Sequence, residues 1–461
     1  MLILNFLKPI SNIKLISMKL IKYTFLIVFI ILISSCAVQK VKPKTFQNIE
    51  DQIVNSPINR QHQVGFIIKE IGESQNIFSY NAEKYFTAAS NTKLYTFYTA
   101  LNMLGDSIPS LQYEIKNDSL LIWPMADASF LHPDFKSQKA FDFLKNSGKN
   151  IYLISGRYQG EKFGNGWSWD DFNEYYQTEI TELPIYGNYI SVKSKNGKIE
   201  MEPDLAAMYL CETFINANTK NVKRAIESNN LTFPANVPTN LNQAIPIHFN
   251  KGMVENLLSD TLLATGQIIK SVESLPYRQI PASAKKVYSI KADSLYKHFL
   301  QPSDNFMAEE ILLNCAANNE LKMNTEEVIK TSKEKYLKDL PDAFQWADGS
   351  GLSRLNLTTP RNMVALLQKI YDKVADEKRL FEMLPNGGKS GTLRNMFKSS
   401  ATPFVFAKSG SLSNNYNLSG YLIGKSGKKF VFSFMNNSYL NTTAEIRTEV
   451  ERVLTFIHDN Y

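Results

Sequence analysis

Three short stretches of the chain carry hydroxyl, amine and amide groups at suggestive spacing: Ser90-Asn91-Thr92-Lys93, Ser303-Asp304-Asn305 and Lys408-Ser409-Gly410-Ser411. In the first, a serine precedes a lysine by three residues, and at the start of a helix residues three apart share one face. A helix N-terminus places positive potential where an oxyanion would develop. Burial next to another cation would lower the lysine pKa and let its amine act as base toward the serine. The chemistry on offer is nucleophilic attack by serine without histidine. Alone the signal is weak. Ser-x-x-Lys starts at Ser11, Ser90, Ser283, Ser294, Ser332 and Ser426, and a solvated polar pair explains any one of them.

Order and context separate the copies. Ser303-Asp304-Asn305 stands immediately before the apolar helical run "FMAEEILL". Lys-Ser-Gly occurs at Lys389, Lys408 and Lys425. Lys425, between two apolar strands, reads as a hairpin turn, and Lys389 lies in the glycine-rich loop "LPNGGKSGTLRNMF". Only Lys408 ends an apolar β run, Phe404 to Ala407, where an edge strand can present it to a cleft. The five histidines (62, 132, 248, 298 and 458) show no metal-ligand spacing, so no metal and no cofactor is expected. A Ser-His-Asp triad assembled by the fold stays open, although no G-x-S-x-G elbow encourages it.

The elements that must position these groups lie at both ends of the chain. "TFQNIEDQIVN" reads as an amphipathic helix, "QVGFIIKEI" and "NIFSYNA" as a hairpin about "GESQ", and a helix begins near Ser90 with Leu94, Phe97, Leu101 and Leu104 at helical spacing. "FVFAKSGSL", "NLSGYLIG" and "KKFVFSFMN" read as three strands, followed by a helix with Ile446, Val450, Val453 and Ile457 on one face. This is an α+β pattern in which the first and last segments pack together. Residues 105–284 have another texture, rich in aromatics, Asn and Thr. They read as a large, mostly β inserted region between catalytic segments 46–104 and 285–461.

With 461 residues, 44% of them hydrophobic, the chain can bury a large core. "MKLIKYTFLIVFIILISSC" has a charged start, an apolar run and small residues before Cys36, the form of a secretory signal, with Met18 as an alternative start. The run is short for a membrane span. A buried helix is the plainer reading, but Ile33-Ser34-Ser35-Cys36 also resembles the lipobox of bacterial lipoproteins. Residues 1–35 are then a signal peptide, Cys36 the lipidated anchor to a membrane (the outer one is expected), and 36–45 a tether. Removing the four lysines of that leader lowers the net charge from +7 to +3, too little to argue for nucleic acid. Cys315, in an apolar helix, is expected buried; a disulfide to Cys211 stays open.

Taken in order, "AASNTKLYT", "PSDNFMAEEILL", "DGSGLSRLNLTTP", "GTLRNMF" and "AKSGSLSNNYNLSGYL" resemble the low-molecular-mass class C penicillin-binding proteins, the D-alanyl-D-alanine carboxypeptidase/endopeptidase family. "GNGWSWDDF" resembles a stretch of that family's inserted region. The likeness spans about residues 60 to 440. Two departures are visible: Ser409 replaces the usual threonine of the third motif, and "PMADASF" stands where the family has a Gly-Asp-Pro segment.

The resemblance implies a transpeptidase fold like that of the serine β-lactamases, acting on peptidoglycan stem peptides and acylated by β-lactams. It implies Ser90 as nucleophile, Lys93 as base, Ser303 as proton relay, Asn305 as orienting amide and Lys408 as the electrostatic element. Ser409, Gly410 and Ser411 would form the substrate-binding strand, with backbone N–H groups of Ser90 and Ser411 as oxyanion hole. Asp348 is as suited to shaping a turn as to touching substrate. A β-lactamase and a catalytically silent envelope protein of the same fold are the rival readings.

Overall fold

Residues 72–75 turn the chain between strand β1 (Gln63–Glu70) and strand β2 (Asn76–Tyr80), the hairpin read from the sequence. Three strands from the far end complete the sheet: β3 (Val405–Leu412), β4 (Asn415–Ile423) and β5 (Lys429–Asn437). The order is β3-β4-β5-β1-β2 and every pairing is antiparallel. The join between the two chain ends is β1 on β5, in unbroken register from Gln63 opposite Asn437 to Glu70 opposite Phe430. The computed structural model describes residues 44–195, 198–204, 213–216, 219–250, 252–266 and 271–461. The apolar leader, Cys36 and Cys211 lie outside the described residues, and Cys315 is a free, buried thiol.

Five helices frame the sheet: α1 (Lys93–Met103), α2 (Ala292–Leu300), α3 (Asn305–Asn318), α4 (Pro360–Val374) and α5 (Thr443–Asn460). α1 to α4 share one core with the inward side chains of the sheet, among them Leu94, Phe97, Phe299, Ile311, Leu367, Ile67, Tyr421 and Val431. α5 starts with a capping box between Thr442 and Glu445 and buries Ile446, Val450, Val453 and Ile457, as the periodicity indicates. Among the described residues no helix is long and apolar enough to cross a membrane.

A second five-stranded sheet, ordered 272–276, 150–155, 119–124, 107–116 and 285–291, carries its own core. Helices Lys139–Lys145 and Met253–Leu263 pack into that core through Phe141, Leu144, Leu257 and Leu262. Neither was read from the sequence, where the aromatic, Asn-rich texture masks their short apolar faces. Strand 285–291 closes this sheet by pairing with 107–116, so the chain leaves the second sheet directly into α2.

The helix expected near Ser90 begins differently. Residues 89–92 form a 3-10 turn and α1 starts only at Lys93. Ala89 adopts φ 49°, a left-handed conformation that costs a residue with a Cβ of order 1–3 kcal/mol. The turn lies against the open edge of β3. A Cβ on Gly410 would come within 2.9 Å of the Ser90 nitrogen, so glycine there lets the strand reach the serine backbone.

Candidate active site

Lys93 has no exposed surface. Its Nζ donates to Ser90 Oγ at 3.1 Å, Asn305 Oδ1 at 2.6 Å and the Ser350 carbonyl at 2.7 Å. An ammonium has three N–H groups, so this one is fully satisfied by acceptors from three separate segments. Burial lowers its pKa to about 8, while the charges of Asp348, Asp304 and Glu309 oppose that shift. The cause is thus the burial expected from the sequence, without a contribution from the neighbouring cation expected beside it. When the amine loses a proton, its lone pair can accept the Ser90 hydroxyl proton across the same contact.

The second motif sits across from this pair. Ser303 holds φ 68°, and Asp304 caps α3 by accepting the Met307 N–H at 2.8 Å, which sets Asn305 at the first turn. Lys408, fully buried on β3, donates to Ser303 Oγ at 2.8 Å and to the Ser409 carbonyl at 2.6 Å. Burial first, then the charge of Lys93, holds Lys408 well below the ordinary lysine range. An anionic substrate arriving beside it would favour its charged form. Ser409 Oγ donates to Thr392 Oγ1 at 2.7 Å, and Ser411 is exposed two residues along the same strand.

Ser90, Lys93, Ser303, Asn305 and Lys408 therefore meet at one place, with Ser409, Gly410 and Ser411 along its β3 wall. The other copies do not join them. Lys389 is an exposed turn residue, and Lys425 pairs with Asp459 at 2.9 Å on the surface. Ser332 is buried against Thr99, Ser283 bonds Glu114, and Ser294 and Lys297 lie on α2, while Ser11 is outside the described residues. Among the described residues no His, Cys, Asp and Glu side chains group to hold a metal.

Several groups around the site lie outside the three catalytic tripeptide and tetrapeptide motifs. Asp348 is buried and shapes the 348–356 turn, accepting the N–H groups of Gly351 and Ser353 and the Asn356 amide. Glu309 of α3 accepts the N–H groups of Gly349 and Ser350, which aims the Ser350 carbonyl at Lys93. Burial, then the Asp348 charge, pushes Glu309 up to about 8. Two contacts come from the 164–177 stretch. Trp167 Nε1 donates to Asp348 Oδ2 at 2.9 Å, and the Tyr176 carbonyl accepts from Asn305 Nδ2 at 3.0 Å. With its nitrogen held there, Asn305 must turn its oxygen toward Lys93.

The family model described as D-Ala-D-Ala carboxypeptidase 3 (S13) matches residues 45–457. The chain belongs to this family. The D-alanyl-D-alanine carboxypeptidase DacB of Haemophilus influenzae is 23% identical over 452 residues, covering 90% of this chain and 94% of that protein. Penicillin-sensitive carboxypeptidase A of Dictyostelium discoideum is 23% identical, covering 76% and 77%. The crystal structure of penicillin binding protein 4 (dacB) from Haemophilus influenzae superposes with a TM-score of 0.70 at 21% identity, covering 89% of this chain and 99% of that one. The fold is the low-molecular-mass penicillin-binding-protein fold that the ordered motifs imply.

Within this S13 chain, Trp167 acts on Lys93 only through the Asp348 turn and the Ser350 carbonyl. Trp167→Phe keeps the ring and removes the donor. It is expected to slow acylation by penicillin about tenfold, the scale of one hydrogen bond to a charged group. The pH midpoint of acylation should rise, because a loosened turn admits water to Lys93 and weakens the desolvation that lowers its pKa. A slower variant with an unmoved midpoint would limit Trp167 to packing.

Proposed function

We propose that this protein is a serine-type D-alanyl-D-alanine carboxypeptidase acting on peptidoglycan stem peptides through an acyl-enzyme on Ser90. The observation that carries this is the buried Lys93 amine 3.1 Å from Ser90 Oγ, with the Lys408–Ser303 pair opposite. Lys93, as neutral amine, takes the hydroxyl proton while Ser90 Oγ attacks the carbonyl of the penultimate D-alanine. The backbone N–H groups of Ser90 and Ser411 receive the oxyanion. The C–N bond then breaks, and the leaving amine takes a proton through Ser303, which Lys408 holds. Water hydrolyses the ester and restores Ser90.

Asn305 has one amide N–H left for the substrate, since Tyr176 takes the other. Ser409 and Ser411 receive the terminal carboxylate, and Lys408 supplies the positive field. Family membership supports the peptidase over the β-lactamase. An intact Ser90–Lys93 contact supports an active enzyme over a silent descendant.

The reading extends to organisation and location. Segments 46–104 and 285–461 build the catalytic domain, with strand 285–291 completing the sheet of the accessory region 105–284, whose 164–177 stretch reaches the site. The protein is an envelope lipoprotein held through Cys36, the residue that ends the signal-like run. Several acyl chains anchor firmly where one does not.

Two experiments test these points. Ser90→Ala should abolish both covalent labelling by a fluorescent penicillin and release of D-alanine from a model pentapeptide, with the fold retained. Labelling that survives on another serine would reject Ser90. Cys36→Ser should move the protein from the membrane to the soluble envelope fraction; unchanged fractionation with the signal still cleaved would reject the anchor.

A further inference from the structure

Two adjoining cavities of about 470 Å³ each share Asn165, Glu326 and Ala347 in their walls. One side of this cleft is a single face of the helix Thr325–Lys335, where Glu326, Ile329, Lys330 and Lys333 stand three or four residues apart. The other side is the 158–165 segment of the accessory region. The two sides are fixed to each other where the Gln159 N–H donates to the Met323 carbonyl at 3.1 Å, beside a bridge between Tyr158 and Met323. Tyr158 is held in turn by donating its hydroxyl to the Glu161 carbonyl at 2.5 Å. The cleft therefore has its shape before any ligand arrives, which lowers the cost of binding.

Apolar and hydrogen-bonding surface alternate along it. Ile329 and the Trp346 ring line the outer cavity, and Phe163 and Ile180 line the inner one. The exposed side chains of Gln159, Asn165, Gln345 and Glu326 bond no protein group among the described residues. The outer cavity balances Lys330 and Lys333 against Glu326 and Glu334, and Lys333 is already engaged, donating to the Phe344 carbonyl at 3.0 Å. The charged lining of the inner cavity is Glu161, Glu309, Glu326 and Asp348, with no cation, so carboxylates and phosphates are repelled. Glu309 and Asp348 are committed to the N–H groups of the 348–356 turn, which leaves no strong site for a cation. The ligand that fits is uncharged, spans both cavities, and combines apolar ring faces with a rim of hydroxyl and amide groups.

We infer that this cleft binds the glycan strand of peptidoglycan, as a run of N-acetylated amino sugars lying across both cavities. The inference rests on the proposed peptidase function and adds a second binding site to it. Ring faces meet Trp346, Ile329 and Phe163. The amides of Gln159, Asn165 and Gln345 meet hydroxyls and acetamides, and Glu326 accepts hydroxyl protons in charge-assisted bonds. The position suits this ligand. Ala347 and Asp348 line the inner cavity and lead into the turn whose Ser350 carbonyl holds Lys93. Gly164 and Asn165, also in its wall, begin the stretch that continues to the Tyr176 carbonyl at Asn305. The cleft and the catalytic pair thus share one wall. From the carbonyl attacked by Ser90 to the sugar, the acyl side of a stem spans four residues, about 13 Å when extended. The glycan of a bound stem lies that close to the wall.

The experiment compares a bare pentapeptide with the same pentapeptide carried on its N-acetylated disaccharide, using the full-length protein. Wild type should show the higher kcat/KM on the disaccharide-linked substrate. Glu326→Ala with Gln345→Ala should lower that value about tenfold, the scale of two lost hydrogen bonds. D-alanine release from the bare pentapeptide and the rate of penicillin acylation should stay within about twofold, as befits exposed positions outside the catalytic machinery. A tetramer of N-acetylglucosamine should bind wild type more tightly than the variant, and added salt should leave its affinity unchanged because the ligand carries no charge. Equal kcat/KM on the two substrates in wild type would overturn the glycan site while leaving the peptidase intact, as would a parallel fall on both in the variant. If wild type neither releases D-alanine nor takes up penicillin, the peptidase reading fails. Tetramer binding that the variant loses would then still support the cleft, and binding equal in both proteins would overturn it.

Discussion

A lysine ammonium enclosed by protein loses its hydration and must recover it from fixed acceptors, or give up its proton. Lys93 is held at that balance. Its three acceptors come from the turn before α1, the first residue of α3 and the loop before α4. Because no single element supplies two of them, the site exists only when the three segments are docked together. The same enclosure lowers the amine to about 8, which leaves a useful fraction neutral near physiological pH. The interaction that makes Lys93 a base is also the one that binds the scaffold around it.

Much of the surrounding architecture serves that enclosure. Gly351 lets the 348–356 turn press against the Ala89 carbonyl, where a Cβ would lie 2.0 Å away. Gly410 does the same for β3 against the Ser90 nitrogen. Asp348 and Glu309 hold the turn from inside by accepting its N–H groups, and so act on Lys93 without touching it. Asn91 Nδ2 donates to Ser419 of β4 at 2.7 Å, and Asn417 Nδ2 reaches the Thr87 and Ala88 carbonyls. The nucleophile's turn is therefore tied to the sheet on both sides of Ser90, and its left-handed Ala89 is over-determined by these contacts.

Residues whose environment repeats along the chain were legible in advance. The apolar run Phe404–Ala407 identified β3 and separated Lys408 from Lys389 and Lys425, because of the three copies only Lys408 follows a buried strand, whereas the other two lie in exposed turns. The face of α5 followed from its 3.6-residue period. The groups that complete the site have no such signature. The Ser350 and Tyr176 carbonyls are backbone atoms, available from any residue type, and only the fold aims them. Glu309 sits within "AEEILL" as an unremarkable helical acid until the turn of Asp348 is laid over it. Trp167 lies in "GNGWSWDDF", legible in advance only as a stretch of the inserted region, since nothing in the sequence links it to Asp348, 181 positions away. The helices 139–145 and 253–263 were missed because their apolar faces are short and set among aromatic and polar neighbours.

The dependence of everything on Lys93 is tested most directly by the second-order rate of penicillin acylation measured from pH 6 to 10. A base whose ammonium lies at about 8 requires the rate to rise with pH, by about tenfold per unit well below the midpoint, and to level off above it. The direction follows from the proton balance: Lys93 works only after losing its proton, so acid suppresses acylation and base relieves it. A rate that is flat between pH 6 and 9, or that falls as pH rises through 8, would contradict Lys93 as the base that activates Ser90.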